Sequence, residues 1–393
     1  MWNMTLEAKR QIEQAHILPI RETDEEWASD LEVAAREGED ILSDLKDQIR
    51  EVKDQLLKKL PERFHPYVHN ESLNTMDLPK DVRKDYICWV VEQQMIFEQL
   101  MEKAYENKQA AVPFLPEETQ VVFKQSLHDA IVQHVKRGDG CLHLQLRTGG
   151  FSTISTTVLT FEDLYEEVGE CPLIEGQYYI YDELIKTTRG FALRVLFDCP
   201  ELEWTIEAIN ISAVNYYEVQ VEDVDTWSQF VSQLQEDFIY SLVTPQVITQ
   251  IQAFSATAPF LQFEQGELVE KADGFYYELN GETILIAENA FALKDTIFCN
   301  TYVDPYAHFS EPVPADELVQ AALSNDLAYQ VRAWNTLYAH STAYVAEINE
   351  ILSQIVVTEA NEMMISIYVN HFFREGKLTA NIVEKYKHYI DEL

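Results

Sequence analysis

The chain has 393 residues and carries 67 Asp and Glu against 29 Lys and Arg, a formal net charge of -38 at pH 7 with the histidines neutral. A field of that sign repels phosphate backbones and anionic lipid head groups, which argues against nucleic acid and membrane surfaces as partners and leaves basic proteins and metal cations. With 47% hydrophobic and 11% aromatic residues it has the material of globular cores rather than of an acidic tail, and its length exceeds what one core serves.

From the N-terminal end, Thr23-Asp24-Glu25-Glu26 reads as an N-cap followed by acids suited to the positive end of a helix dipole. Trp27, Leu31, Ala34, Ile41, Leu45, Ile49, Val52 and Leu56 then recur at helical spacing and predict one long helix, with Lys58 and Lys59 in its last turn and Pro61 ending it. A second helix begins near Leu78-Pro79 and carries Val82, Tyr86, Trp89, Val90, Phe97, Leu100 and Tyr105. The two are expected to form an antiparallel hairpin across the loop from Pro61 to Leu78.

At Ala111-Val112-Pro113 the period changes. Residues 130–147 alternate about the turn Arg137-Gly138-Asp139-Gly140, and a symmetric closure would set Lys136 against Cys141, Val135 against Leu142 and His134 against His143. Ile131, Val135, Leu142, Leu144 and Leu146 would then share the core face. Further strands are expected at Thr156–Phe161, Gln177–Ile185, Phe191–Phe197 and Glu203–Ile211, together an antiparallel sheet or small barrel. In Tyr178-Tyr179, Tyr216-Tyr217 and Tyr276-Tyr277 one ring should face inward and one outward.

A helix is expected from Thr226 to about Leu242, and Asn280-Gly281 between Phe275–Leu279 and Thr283–Ala287 is a hairpin signal. A connector from Pro305 to Pro314 opens a helical tail with elements at Asp316–Ala322, Ala328–Tyr338, Tyr344–Ile355, Asn361–Phe373 and Thr379–Ile390. Gly376 is a predicted C-cap and Thr379 a predicted N-cap. The expected fold is therefore α+β: an N-terminal helical hairpin over 1–112, an antiparallel β-rich domain over 113–225, and a mixed, then helical region over 226–393. The three parts hold 15 basic and 24 acidic residues, 7 and 20, and 7 and 23, so the acid is not confined to a detachable segment.

Among residues that carry chemistry, His128-Asp129 is the first candidate, since an adjacent His and Asp can ligate a divalent metal. The pair leads directly into a predicted strand, whereas the His-Asp phosphohydrolases hold theirs on helices of an all-α fold. Capping the start of the strand is the competing structural role. His134 and His143, if opposite one another, would offer two ligands but no third. His65 and His69 have the spacing of a helical metal pair, but Pro66 argues for a loop there. Neighbouring carboxylates such as Glu166-Glu167 and Asp182-Glu183 discriminate nothing in so acidic a chain. Phosphate-binding glycine motifs, the G-x-S-x-G elbow and H-E-x-x-H are all absent. Five scattered cysteines without a C-x-x-C fit reduced, mostly buried thiols, and neither a signal peptide nor a run of 18 apolar residues is found, so a soluble cytoplasmic protein is expected.

Four segments resemble an uncharacterised family of Gram-positive bacterial proteins classed as a domain of unknown function: Pro61–Tyr67, Ser126–Ala130, Tyr302–Tyr306 and Val331–Thr336. The resemblance spans nearly the whole chain; it implies a cytoplasmic bacterial protein and transfers no catalytic residue, substrate or cofactor. The region 128–211 also looks like β-rich modules of bacterial immunity-type proteins, an analogy of fold alone. The expectation that follows is a non-enzymatic adaptor or immunity-like factor that binds a basic protein and needs no cofactor. Its competitors are a metal-dependent hydrolase using His128 and Asp129, and a nucleic-acid mimic.

Overall fold

The computed structural model describes residues 2–18, 20–148, 153–221, 226–235, 238–253, 261–302, 304, 306–358 and 361–390. The end of the predicted first β domain (Asp225), and Val303 and Pro305 in the segments above, lie outside the described residues. The chain divides into two compact units, Met1–Tyr302 and Val303–Leu393. The α+β order expected from the pattern is present: helices, an antiparallel sheet system, then helices.

The first unit begins with α1 (Leu6–Ala15), α2 (Asp24–Glu37), α3 (Ile41–Lys59), α4 (His65–His69) and α5 (Lys80–Ala111). Thr23 caps α2 as expected, accepting from Glu26 N at 3.1 Å. The single long helix predicted over 24–59 is two helices. Gly38 adopts φ 74°, a left-handed C-cap, and Asp40 restarts the chain by accepting from Ser43 N. The apolar stripe survives because both helices turn it toward core, with Trp27, Leu45, Ile49 and Leu56 all buried. The expected loop at His65-Pro66 is also corrected: α4 forms there, since proline in a first turn removes an N–H that has no intrahelical acceptor anyway. Phe64 meets Tyr86 of α5 edge-on at 5.1 Å, tying this corner to the long helix.

A short α6 (Glu117–Lys124), not anticipated from the sequence, leads into β1 (Ala130–Gly138), β2 (Cys141–Arg147), β3 (Thr156–Gly169), β4 (Tyr178–Lys186), β5 (Phe191–Asp198) and β6 (Leu202–Glu218). The strands lie in the order β3-β2-β1-β4-β5-β6, and β6 pairs back onto β3, closing a six-stranded antiparallel barrel. Leu144, Leu159, Phe161, Phe197 and Trp204 belong to its core, with Phe161 and Phe197 both edge-on to Trp204. Side chains fill a barrel of this size.

The β1–β2 register differs from the symmetric closure. Gly138 faces Cys141, Lys136 faces His143, and His134 faces Gln145. The turn is the two-residue Asp139-Gly140, both at positive φ (54° and 75°), which suits the strand twist better than a four-residue loop. A bulge between Val132 and His134 then exchanges the faces, so Val132 is buried while Ile131 is only partly so.

Beyond the barrel come α7 (Trp227–Gln233), β7 (Tyr240–Val243), β8 (Ile248–Ala253), β9 (Leu261–Phe263), β10 (Glu267–Lys271), β11 (Gly274–Leu279), β12 (Glu282–Ala287), α8 (Ala290–Lys294) and β13 (Ile297–Cys299). The helix expected to reach Leu242 ends at Gln233, and Tyr240–Val243 is instead a fully buried strand. The far end of the long strand β6 pairs with β13, which carries β7, β8 and β9 onward from the barrel. β10, β11 and β12 form a separate three-stranded sheet, with Asn280-Gly281 as its expected positive-φ hairpin turn. In all three tyrosine pairs one ring is more buried than its neighbour, Tyr179, Tyr216 and Tyr277 being the inward members.

The second unit is helical: α9 (Leu318–Ala322), α10 (Leu327–Ala339), α11 (Val345–Gln354), α12 (Glu362–Arg374) and α13 (Ala380–Lys385), close to the five predicted spans. Trp334, Leu337, Ile351, Ile365 and Phe372 are among its core residues. Gly376 takes φ 68° after α12, and Thr379 precedes α13 without donating or accepting a capping side-chain bond.

Candidate functional site

His128 and Asp129 sit in the connection between α6 and β1. Asp129, at φ 65°, donates its backbone N–H to Tyr179 O at 2.8 Å, and His128 Nδ1 lies 2.7 Å from Ile180 O. A ring nitrogen that close to a carbonyl oxygen donates its proton to it, and the other ring nitrogen, Nε2, lies 3.7 Å from Asp129 Oδ1. Both side chains are about half exposed. The two residues therefore extend the shortest seam of the barrel, where β1 and β4 share only the pairs Ala130–Tyr179 and Ile131–Tyr178. They do come together, but as two groups; among the described residues no set of three or more His, Cys, Asp or Glu side chains is placed to hold a metal ion.

The other histidine pairs separate. His134 Nδ1 bonds Glu175 at 2.8 Å, whereas His143 Nδ1 bonds Thr160 at 3.0 Å on the next strand. His65 Nε2 is occupied by Leu60 O at 2.8 Å, while His69 is exposed. The expectation of mostly buried thiols is corrected as well: Cys88, Cys171 and Cys199 are exposed, Cys141 is intermediate, and Cys299 is buried.

Several carboxylates that the sequence could not single out are heavily bonded, Glu183 most of all. Glu183, fully buried on β4, accepts from Asn3 N and Nδ2, from Met4 N and from Asn107 Nδ2, at 2.7 to 2.9 Å. Beside it Asp182 pairs with Lys108 of α5 at 2.6 Å. Glu167 on β3 accepts from Arg137 and from Trp204 Nε1, and the Arg137 guanidinium holds its carboxyl below the usual range in spite of partial burial. On α1, Lys9 is buried beneath Glu13, Asp198 and Glu201; burial favours the neutral amine, but the carboxylates outweigh it and raise the pKa. Each of these groups has its partners inside the protein, which makes them joints of the fold.

The opposite condition holds on the solvent side of α5. Its inner side supplies Tyr86 and Phe97 to the interior, and Phe97 meets Tyr181 of the barrel at 5.4 Å. Its outer side exposes Val91, Met95, Met101 and Tyr105, Met95 by 53% and Tyr105 by 59%. At 100° per residue these fall in the same sector as the exposed acids Glu98, Glu102 and Glu106, spaced four apart. Among the described residues none of the three acids has a cation within ion-pair distance, and like charges at that spacing cost a helix about 0.2–0.5 kcal/mol per pair. The sequence places Tyr105 on this helix without saying which way it faces; only the packing of α5 on β4 shows which side is left over.

A cleft of about 810 Å³ opens where α1, the end of α3 and α5 meet. Its Arg10 is held by Glu201, and its Gln11 and Gln93 bond each other at 2.6 Å, so these polar groups are already partnered. Among the described residues no helix is long and apolar enough to cross a membrane.

Neither the curated proteins nor the solved structures contain a match to the chain. A family match covers residues 4–208, which takes in α1 to α6, β1 to β5 and the first part of β6. Two of the segments that carry the resemblance, Pro61–Tyr67 and Ser126–Ala130, lie inside it, and the other two lie beyond it. The match thus spans α1 to α6 and most of the barrel, and the chain belongs to the family described as protein of unknown function (DUF4085).

Proposed function

We propose that the protein is a non-enzymatic binding factor that docks a basic, amphipathic segment of a protein partner along the outer side of α5. The observation that carries this reading is the coincidence of exposed Val91, Met95, Met101 and Tyr105 with three acids that have no ion pair among the described residues on one helix sector. Apolar side chains supply contact area there, and the acids supply steering and register toward Lys or Arg. The net charge of -38 favours a basic partner over nucleic acid or an anionic membrane. The family resemblance implies a Gram-positive bacterial cytoplasm as its setting, and an adaptor or immunity-like factor is the form that such binding would take there.

The test is isolation of the endogenous complex under native conditions, followed by a binding titration of the identified partner at increasing salt. Affinity should fall steeply with salt and fall again in Glu98→Lys/Glu102→Lys. Salt-independent binding that survives the double reversal would overturn the reading.

A second reading, a metal-dependent hydrolase at His128 and Asp129, is favoured by one observation, the 3.7 Å approach of His128 Nε2 to the Asp129 carboxylate on a half-exposed surface. It needs ligands from elsewhere to complete a coordination sphere.

A further inference from the structure

We infer that a cleft of about 340 Å³ beside the barrel is a binding site for a small zwitterion of the amino-acid type, its carboxylate held by Arg147 and its ammonium group by Asp295. The cleft lies within the first unit. Arg147 ends β2 and Gln133 and Thr156 stand on the flanking strands β1 and β3; across from them come the β7–β8 turn and the end of α8, with Thr244, Gln246 and Asp295.

Arg147 is exceptional in this chain. Among the described residues, nine arginines are placed within ion-pair distance of a carboxylate, and Arg189 lies over the ring of Tyr165. Arg147 has neither kind of partner among the described residues, in a protein with more than twice as many acids as bases. Asp295 lines the same cleft and is likewise without a cation among the described residues. Two opposite charges that share one cleft without pairing are complementary to a ligand that carries both. Guanidinium binds a carboxylate through two parallel N–H bonds, and a carboxylate accepts from an ammonium group.

The rest of the cleft fits the same ligand. Gln145 Nε2 donates to Gln133 Oε1 at 2.9 Å, which fixes the Gln133 amide and leaves its NH₂ as a donor. Val243 and Phe298 add apolar surface for a side chain. The volume stands at the small end of ligand pockets, the size of a metabolite rather than of a peptide. This site shares no residue with the α5 face, so it stands or falls independently of the protein-binding reading.

The experiment is thermal unfolding and calorimetric titration of the full chain with the free L-amino acids as probes. Each probe is accompanied by a matched carboxylic acid lacking the amine and a matched amine lacking the carboxylate. At least one amino acid at ~10 mM should raise the Tm by about 2 °C or more, and its single-charge analogues should bind at least about tenfold more weakly. Arg147→Met and Asp295→Asn should each weaken binding at least about tenfold while the unliganded Tm stays close to that of the parent. The inference fails if no amino acid binds, if a single-charge analogue binds equally well, or if binding survives Arg147→Met.

Discussion

Glu183 of the barrel and Asn107 of α5 meet through a 2.7 Å hydrogen bond, and that carboxylate also accepts from the Asn3 and Met4 region of the chain. One buried side chain therefore joins the leading segment, the long helix and strand β4. Its four donors would be stranded in Glu183→Ala, at a cost of about 3–5 kcal/mol, whereas Asn107→Ala removes one donor and costs about 1–2 kcal/mol. Urea unfolding of the two variants gives the comparison. Equal, small effects would mean that the joint does not hold the helices to the barrel.

Tyr86 gives a pH signature. Burial pushes its phenol up to about 12, and its hydroxyl has no hydrogen-bond partner among the described residues. The folded pKa is above the unfolded value near 10, so folding favours the protonated phenol. That contribution is fully present below about pH 10 and is lost as pH rises toward 12. Tyr86→Phe should remove this loss and, because an orphaned buried hydroxyl is deleted, leave neutral-pH stability unchanged or up to about 1 kcal/mol higher. Parallel denaturation curves between pH 8 and 12 test both statements, and an alkaline loss of equal size in the variant would contradict the assignment.

His128→Ala separates the seam role of that residue from the metal reading. Loss of the bond to Ile180 should lower stability by about 1 kcal/mol, with no change in the response of the Tm to added zinc or manganese. A tight, stoichiometric metal present in the parent and lost in the variant would shift the argument to the hydrolase.

Two glycines should behave in opposite ways. A Cβ at Gly190 would stand 2.1 Å from Ala208 O and 2.6 Å from the Ile209 Cα, where β5 enters its pairing with β6. Gly190→Ala is expected to cost about 2–4 kcal/mol, since the obstacle is backbone. Gly140 has open space around it and only its φ of 75° to defend, so Gly140→Ala should cost about 1–2 kcal/mol. Chemical denaturation ranks the two.

What the residue pattern revealed follows the range of the forces involved. Strands β3 to β6 and the Asn280-Gly281 hairpin are written in period-two alternation and local turn chemistry and begin where expected, although β3 runs on to Gly169 and β6 to Glu218. The break at Gly38 was also local, but a continuous apolar stripe on either side concealed it. The β1–β2 register depends on whether two or four residues make the turn, and the bulge that turns Val132 inward has no local marker. His128 and Asp129 were visible as a pair, yet their partners, the carbonyls of Ile180 and Tyr179, are about fifty residues away. Glu183 was one acid among 67 until the fold brought four donors to it.

The acids of α5 allow stability and binding to be set against each other. Glu98–Glu102 and Glu102–Glu106 are both repulsive i,i+4 pairs, and Glu102→Lys would turn both into attractions. At about 0.2–0.5 kcal/mol for each repulsion removed and each attraction gained, the free protein should gain about 1–2 kcal/mol in low salt. If the outer side of α5 were only a solvated surface, that gain would come at no functional cost. A docking face for a basic segment predicts the opposite sign for association, because the new lysine meets a like charge and the partner loses an acid. The parent and Glu102→Lys should therefore differ in opposite directions in unfolding and in partner binding, and both differences should shrink as salt screens the charges. A variant that is more stable and binds equally well would remove α5 from the interface.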